Sequence, residues 1–266
     1  MFYTRKNRII ITLILILSSL DGQESKNDLY KPTPENFRPS EYKKYYVPEL
    51  QALFLIDDLP DNIKLQLKEG IYWEADIGNL IKHYVRKDST VVDIGAHIGI
   101  HSITMSRKTG PRGTVFAFEP QSKLYYEHLA NMRLNGCNNV LTIQKALGNY
   151  FGTVCLDSRN IKNEGGTSIG EGGDLVDMIP LDSLNLSNVS LIKVDVERFE
   201  WFVFQGARET ILRNKPVLIF EVMGEYDYKN CSPDIKREFD KTLSLVKSFG
   251  YSVTLIYGND YLALPF

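Results

Sequence analysis

The chain has 266 residues, with 31 Lys plus Arg against 33 Asp plus Glu. That length suits one large α/β domain or two small ones, and the near balance of charge excludes the basic footprint of a nucleic-acid-binding protein. Three cysteines, Cys137, Cys155 and Cys231, are too few and odd in number for a disulfide framework, and read as free thiols.

Arg5, Lys6 and Arg8 precede an apolar run from Ile9 to Leu20. A basic n-region before a short h-region reads as a secretory signal over residues 1–22. The run would span about 18 Å as a helix, short of the ~30 Å hydrocarbon core. A membrane tether through residues 9–20 is the alternative, because no small-residue cleavage site stands out after the run. Either reading places the folded domain in the secretory pathway, as a lumenal, membrane-anchored or secreted protein. Residues 23–45, with Pro32, Pro34 and Pro39, read as a linker, which leaves residues 46–266 as the folded domain.

Within that domain a short strand is predicted at Ile63–Leu67, and Ile71–Val85 has helical spacing. Strand and helix signals then alternate: strand Thr90–Asp93, helix Ile98–Arg107, strand Thr114–Phe118, helix Ser122–Asn135, strand Val140–Gln144. Tyr125, Leu129 and Met132 form the expected core face of the second of these helices. A strand pair, Thr153–Asp157 and Leu175–Leu181, is joined by a Gly-rich loop over residues 160–174. Alternation resumes with strand Ser190–Val194, helix Glu200–Leu212, strand Val217–Val222 and helix Pro233–Phe249. Tyr251–Tyr257 and Tyr261–Leu264 flank a Gly258-Asn259-Asp260 turn and read as a hairpin. The predicted fold is α/β, a mostly parallel sheet with a C-terminal antiparallel hairpin.

Four apolar runs end on an acid: Asp93, Glu119, Asp195 and Glu221. In a parallel sheet those ends share the edge where ligands bind. A rim of carboxylates repels phosphate and attracts a cation. Asp93-Ile94-Gly95-Ala96-His97-Ile98-Gly99 turns from strand to helix but is not the G-x-G-x-x-G of a dinucleotide site. Gly95 suits the sharp turn and Gly99 a close approach of backbone to ligand. Asp93 suits an ammonium, and Glu119 the two hydroxyls of a ribose. A ligand with an ammonium, a ribose and no phosphate is S-adenosylmethionine.

The chain resembles the FkbM family of S-adenosylmethionine-dependent methyltransferases over residues 71–261. The carriers are Val92-Asp93-Ile94-Gly95-Ala96-His97-Ile98-Gly99, Phe118-Glu119-Pro120, Ile179-Pro180-Leu181-Asp182-Ser183-Leu184, Ile192-Lys193-Val194-Asp195-Val196-Glu197-Arg198-Phe199-Glu200, Gly206-Ala207 and Ile219-Phe220-Glu221-Val222. The resemblance implies a class I, Rossmann-like methyltransferase fold and O-methyl transfer to a hydroxyl of a glycan or small molecule. It implies cofactor contacts from Asp93, Gly95, Ala96, His97, Gly99, Glu119, Pro120, Ala146 and Asp195. It also places Asn163 and Ser168 in a loop over the site. Two positions depart from the family pattern: Arg198 stands where Gly is usual, and His97 where Asn is frequent.

Lys193, Asp195 and Glu197 are spaced to share one face of an extended strand. A buried Lys193 needs a carboxylate partner, which Asp195 or Glu197 can supply. Methyl transfer rests mostly on positioning, aided by a base that takes the hydroxyl proton. Asp195, Glu197 and His101 are the candidates, the first two favoured by position and not separable from each other. No metal is expected: His97 and His101 are four apart but lack the intervening Glu of a zinc helix. Mg²⁺ or Mn²⁺ on Asp195, Glu197 and Glu221 is a minor alternative. Two competing readings are an inactive FkbM-like binding protein, for which Arg198 is the warning sign, and an NAD-dependent oxidoreductase.

Overall fold

A computed structural model describes residues 38–59, 61–157, 166, 168–170, 173–222 and 232–266, all within one compact unit spanning Asn36–Phe266. The leader run 9–20, most of the linker, Asn163 and Cys231 lie outside the described residues. Cys137 and Cys155 are free thiols.

The central sheet holds β3 (Thr90–Ile94), β4 (Thr114–Phe118), β5 (Val140–Ile143), β10 (Val189–Val194), β11 (Val217–Glu221), β12 (Tyr251–Tyr257) and β13 (Asp260–Pro265) in the order β12-β13-β11-β10-β3-β4-β5. Pairings from β5 to β11 are parallel, and β13 inserts antiparallel between β11 and β12. The expected sheet with its terminal hairpin is thus present. β10 is buried at all six positions and β3 and β4 at four of five. Strands covered on both faces read as continuous apolar runs, which is why periodicity found them.

Helices α1 (Asn62–Lys68), α2 (Ala75–Tyr84), α3 (Ile100–Thr109), α4 (Ser122–Leu134), α5 (Glu200–Gly206), α6 (Arg208–Asn214) and α7 (Pro233–Ser248) surround the sheet. The strand predicted at Ile63–Leu67 is instead α1. Asp61 caps it through Oδ1, which accepts the Lys64 N–H at 2.8 Å. The helix predicted over Glu200–Leu212 breaks at Ala207 into α5 and α6. α7 starts as its sequence dictates, with Ser232 as cap and Pro233 in the first turn.

An N-terminal hairpin was not foreseen. β1 (Lys43–Val47) pairs antiparallel with β2 (Ala52–Ile56), so part of a strand lies inside the stretch read as linker. The free edge of β2 is closed by side chains of α4. Asn135 Oδ1 accepts from the Leu53 N–H at 3.0 Å and Asn131 Oδ1 from the Leu55 N–H at 2.8 Å. This satisfies donors that an open edge would leave bare. Phe54, Ile56 and Leu67 then pack with Ile98, Ile103, Leu124 and Met132.

Beneath that contact lies a balanced ionic cluster. Lys64 Nζ meets Asp57 Oδ1 at 3.1 Å and Glu127 Oε2 at 2.9 Å. Lys123 Nζ meets Asp57 Oδ2 at 2.6 Å and Glu127 Oε1 at 2.7 Å. The Tyr42 hydroxyl donates to Glu127 at 2.5 Å. The buried face of α4 is therefore Lys123, Glu127, His128 and Asn131 beside Leu124 and Met132. Of the predicted face, only Met132 is buried, and Tyr125 and Leu129 are half-buried.

A second, smaller sheet has the order β6-β9-β7-β8, from β6 (Ala146–Leu147), β7 (Gly152–Asp157), β8 (Ser168–Ile169) and β9 (Leu175–Ile179). The antiparallel β7–β9 pair is the one expected from sequence. Its apolar side, Ala146, Val154, Leu156, Val176 and Met178, packs with Ile169 and Phe199.

Candidate active site

The carboxyl ends of β3, β4 and β10, helix α1 and the small sheet enclose a cleft of about 280 Å³. Glu119, just past β4, lies in its wall and is 4% exposed. Its Oε2 accepts from the His97 N–H and its Oε1 from the Gln121 N–H, both at 2.9 Å. Burial pushes this carboxyl up to about 7, against the lowering effect of the two backbone donors. Each oxygen keeps a lone pair for a further donor. Pro120, Ala146, Gly95 and His97 also line the cleft.

Gly95 has φ +77°, and a Cβ there would sit 1.7 Å from the Asp195 carbonyl oxygen. The loop after β3 can press on the end of β10 only without a side chain. The N–H groups of Gly95 and Ala96 both donate to the Phe118 carbonyl at 3.0 Å, and Ala96 is 5% exposed behind the wall. Gly99 has a different use from the one expected. Its missing Cβ would meet Met132 Cε at 2.3 Å, so the glycine lets α3 approach α4 rather than a ligand.

Asp93 does not line the cleft. It is 1% exposed, and its Oδ2 accepts from the Ser102 hydroxyl at 2.5 Å. Ser102 lies 2.9 Å from His128 Nε2, and His128 Nδ1 lies 2.9 Å from Thr142 Oγ1. Burial drives His128 down to about 3, so the imidazole is neutral. With Ser102 donating to Asp93, His128 donates from Nε2 and accepts at Nδ1. Asp93 therefore anchors a buried chain between β3, α3, α4 and β5 and makes no direct contact with the cleft.

His101 is likewise turned away. It is 7% exposed, is absent from the cleft wall, and its Nε2 lies 2.9 Å from Glu74 Oε2. Glu74 does line the cleft, and sequence reasoning assigned it no role. Burial alone would raise its carboxyl, but the His101 hydrogen bond and the positive charges of His101 and Lys193 hold it down at about 2.

At the end of β10, Lys193 Nζ contacts Asp195 Oδ2 at 2.9 Å, the pairing expected for a lysine in a central strand. Burial opposes this ammonium, yet Asp195, Asp93 and Glu74 outweigh it and keep it charged. Glu221, at the end of β11, is pushed well up by burial and by the charges of Asp195, Asp260 and Glu197. It keeps its proton at neutral pH and shares a hydrogen bond with Asp195. Asp195 is thus engaged by two partners.

Glu197 lies beyond the end of β10, so the strand face expected to carry it with Lys193 and Asp195 is not formed. β10 ends at Val194, and Glu197 (φ +51°) and Arg198 (φ +73°) are both left-handed. Glu197 makes no hydrogen bond among the described residues. Burial and then Asp195 raise its carboxyl, which Arg198 partly offsets. It lines the cleft and also a second cavity of about 360 Å³, bounded by Phe199, Trp201, Val222, Ile235 and Phe239. Ile169 and Phe199 border both spaces. Among the described residues no group of three His, Cys, Asp or Glu is arranged to hold a metal.

A family model for the methyltransferase FkbM domain matches residues 93–253. The chain belongs to the FkbM methyltransferase family. It is an S-adenosylmethionine-dependent methyltransferase with the class I fold. This FkbM methyltransferase is 25% identical over 199 residues to Methyltransferase 1 of Beauveria bassiana (strain ARSEF 2860), covering 63% of this chain and 74% of that one. Cofactor-bound Rv0187 from MTB shares the fold at TM-score 0.51 and 18% identity, over 78% of this chain and 83% of that one. Methyltransferase FkbM from Methylobacillus flagellatus KT aligns at TM-score 0.46 and 20% identity, over 67% of this chain; this chain spans only 44% of that one.

The residues present fit the cofactor that the family implies. A buried carboxylate with two spare lone pairs suits a pair of ribose hydroxyls. The wall is rich in carboxylate, and the one lysine in it, Lys145, is paired with Asp177 at 3.0 Å. Such a wall suits an onium ligand and disfavours phosphate.

Proposed function

We propose that this FkbM methyltransferase binds S-adenosylmethionine in the cleft and methylates a hydroxyl of a glycan or small molecule that enters through the second cavity. The observation that carries this reading is Glu197, a carboxylate with no hydrogen bond among the described residues, at the junction of the two spaces. Bound S-adenosylmethionine supplies an electrophilic methyl on a positively charged sulfur. Glu119 takes the ribose hydroxyls, with Gly95, His97, Pro120 and Ala146 around it. Transfer of that methyl to the acceptor oxygen would leave the electron pair of the broken bond on sulfur. Glu197 takes the hydroxyl proton, and burial, which raises its affinity for protons, makes it a stronger base than an ordinary exposed carboxylate. Phe199 and Phe239 give an apolar face for a ring, and Glu238 a polar edge for its other hydroxyls.

The test is methyl transfer to a panel of hydroxyl compounds, followed by Glu197→Gln. The expected result is an ether product, with kcat lowered roughly 10²-fold or more and affinity for S-adenosylhomocysteine within about two-fold. A methylated amine as the sole product, or undiminished turnover in Glu197→Gln, would refute it. We further infer, from residues 1–22, that the enzyme works in the secretory pathway; recovery of the intact chain from the cytosol alone would overturn that.

A further inference from the structure

Within that cofactor reading, the α-ammonium of S-adenosylmethionine lacks the partner expected for it, because Asp93 is sealed behind the cleft wall. The other wall carboxylates already have a place in this reading. Glu119 is held by two loop N–H groups, Asp195 by Lys193 and Glu221, and Glu197 sits at the mouth of the second cavity. Glu74 remains. It occupies the N-cap position of α2 with φ +52°, a left-handed conformation costly for a residue with a side chain. Yet its carboxylate caps no N–H of that helix. It turns into the cleft, fixed by His101 Nε2 on Oε2 and by a side-chain hydrogen bond from Trp73, which lines the cleft beside it.

We propose that Glu74 and Trp73 form the seat for the cofactor's ammonium, with His101 as a positioning residue behind them. A fixed carboxylate offers a charge-assisted hydrogen bond, and an adjacent indole adds cation–π attraction. The strained backbone at Glu74 then has a purpose, since a helical or extended residue would point its side chain elsewhere. This assignment rests on the cofactor reading.

Calorimetry on the full chain with three probes tests it. S-adenosylhomocysteine carries the ammonium, its desamino analogue keeps only the carboxylate, and 5′-methylthioadenosine has neither. In the wild-type protein, loss of the amino group should weaken binding roughly 10- to 100-fold. Glu74→Gln should weaken S-adenosylhomocysteine by a similar factor and leave 5′-methylthioadenosine within about two-fold, which also shows that the variant is folded. His101→Ala should give a smaller loss with the same selectivity. Equal losses on all three probes, or no loss on S-adenosylhomocysteine, would overturn the assignment. Wild-type protein that binds none of the three would remove the cofactor reading itself, and the seat with it.

Discussion

Arg198 provides a direct test of the backbone at the proposed reaction centre. Its φ of +73° is tolerated by glycine and costs a residue with a Cβ about 1–2 kcal/mol. Glycine gives back about 0.5–1 kcal/mol through the greater freedom of its unfolded chain. The Arg198 side chain is exposed, so little packing is lost with it, and its N–H bond to Glu200 Oε1 at 3.0 Å survives any substitution but proline. Arg198→Gly should therefore stabilise the protein by about 0.5–1 kcal/mol, or about 1–4 °C in Tm for a domain of this size. Arg198→Ala keeps the strain and should gain nothing. Urea midpoints at constant m-value measure both. The two variants share a second effect. Arg198 lowers the Glu197 carboxyl, so removing its charge should move the acidic limb of the pH–rate profile upward in both. A stability gain in Arg198→Ala equal to that in Arg198→Gly would show that charge, not backbone, is at issue, and would refute the reasoning.

Two further outcomes follow from the electrostatics. Lys64→Met leaves Asp57 and Glu127 with Lys123 alone in a buried cluster, and should destabilise by about 3–5 kcal/mol in urea titration. Without cofactor, stability should fall as pH rises from about 5 to 8, because Glu119 and Glu200 (each about 7), Asp260 (about 6) and Glu221 hold protons in the fold that the unfolded chain has released. Below about 4.5 the sign reverses as the depressed Glu74 takes up its proton, so a urea midpoint that climbs steadily from pH 5 to 8 would contradict these assignments.

The central sheet was legible because burial on both faces leaves an unbroken apolar run, and Asp93, Glu119, Asp195 and Glu221 mark where each run stops. The same pattern cannot say which way an acid points. Asp93 and Glu119 end neighbouring strands, yet one is hydrogen-bonded inside the core and the other faces the cleft. The face of α4 was misread because its buried residues include Lys123, Glu127, His128 and Asn131, which periodicity counts as solvent-exposed. The hairpin β1–β2 was missed for a related reason. Its first strand is exposed at Lys43 and Lys44, and its second is held by amides of α4 more than eighty positions away in the case of Asn135. Glu74 gave no signal because no spacing rule links it to His101, and only the packing of α2 against α3 makes them neighbours.

The cleft wall carries Glu74, Glu119, Asp195, Glu197 and Glu221. Five carboxylates cannot all ionise in a space this small with Lys193 as the near cation. The fold resolves the conflict residue by residue. Glu74 is ionised by its histidine and Asp195 is tied to its lysine, while Glu221 keeps a proton. Glu119 and Glu197 are left raised by burial, and Glu119, at about 7, can lose or gain a proton as its surroundings change. A ligand with a positive sulfur and a positive ammonium completes that arrangement, because each added charge lowers the cost of ionising the groups around it. A neutral or anionic ligand would leave the cost in place. On the proposed cofactor reading, the same surplus of carboxylate that weakens the free protein would favour an onium donor in the cleft.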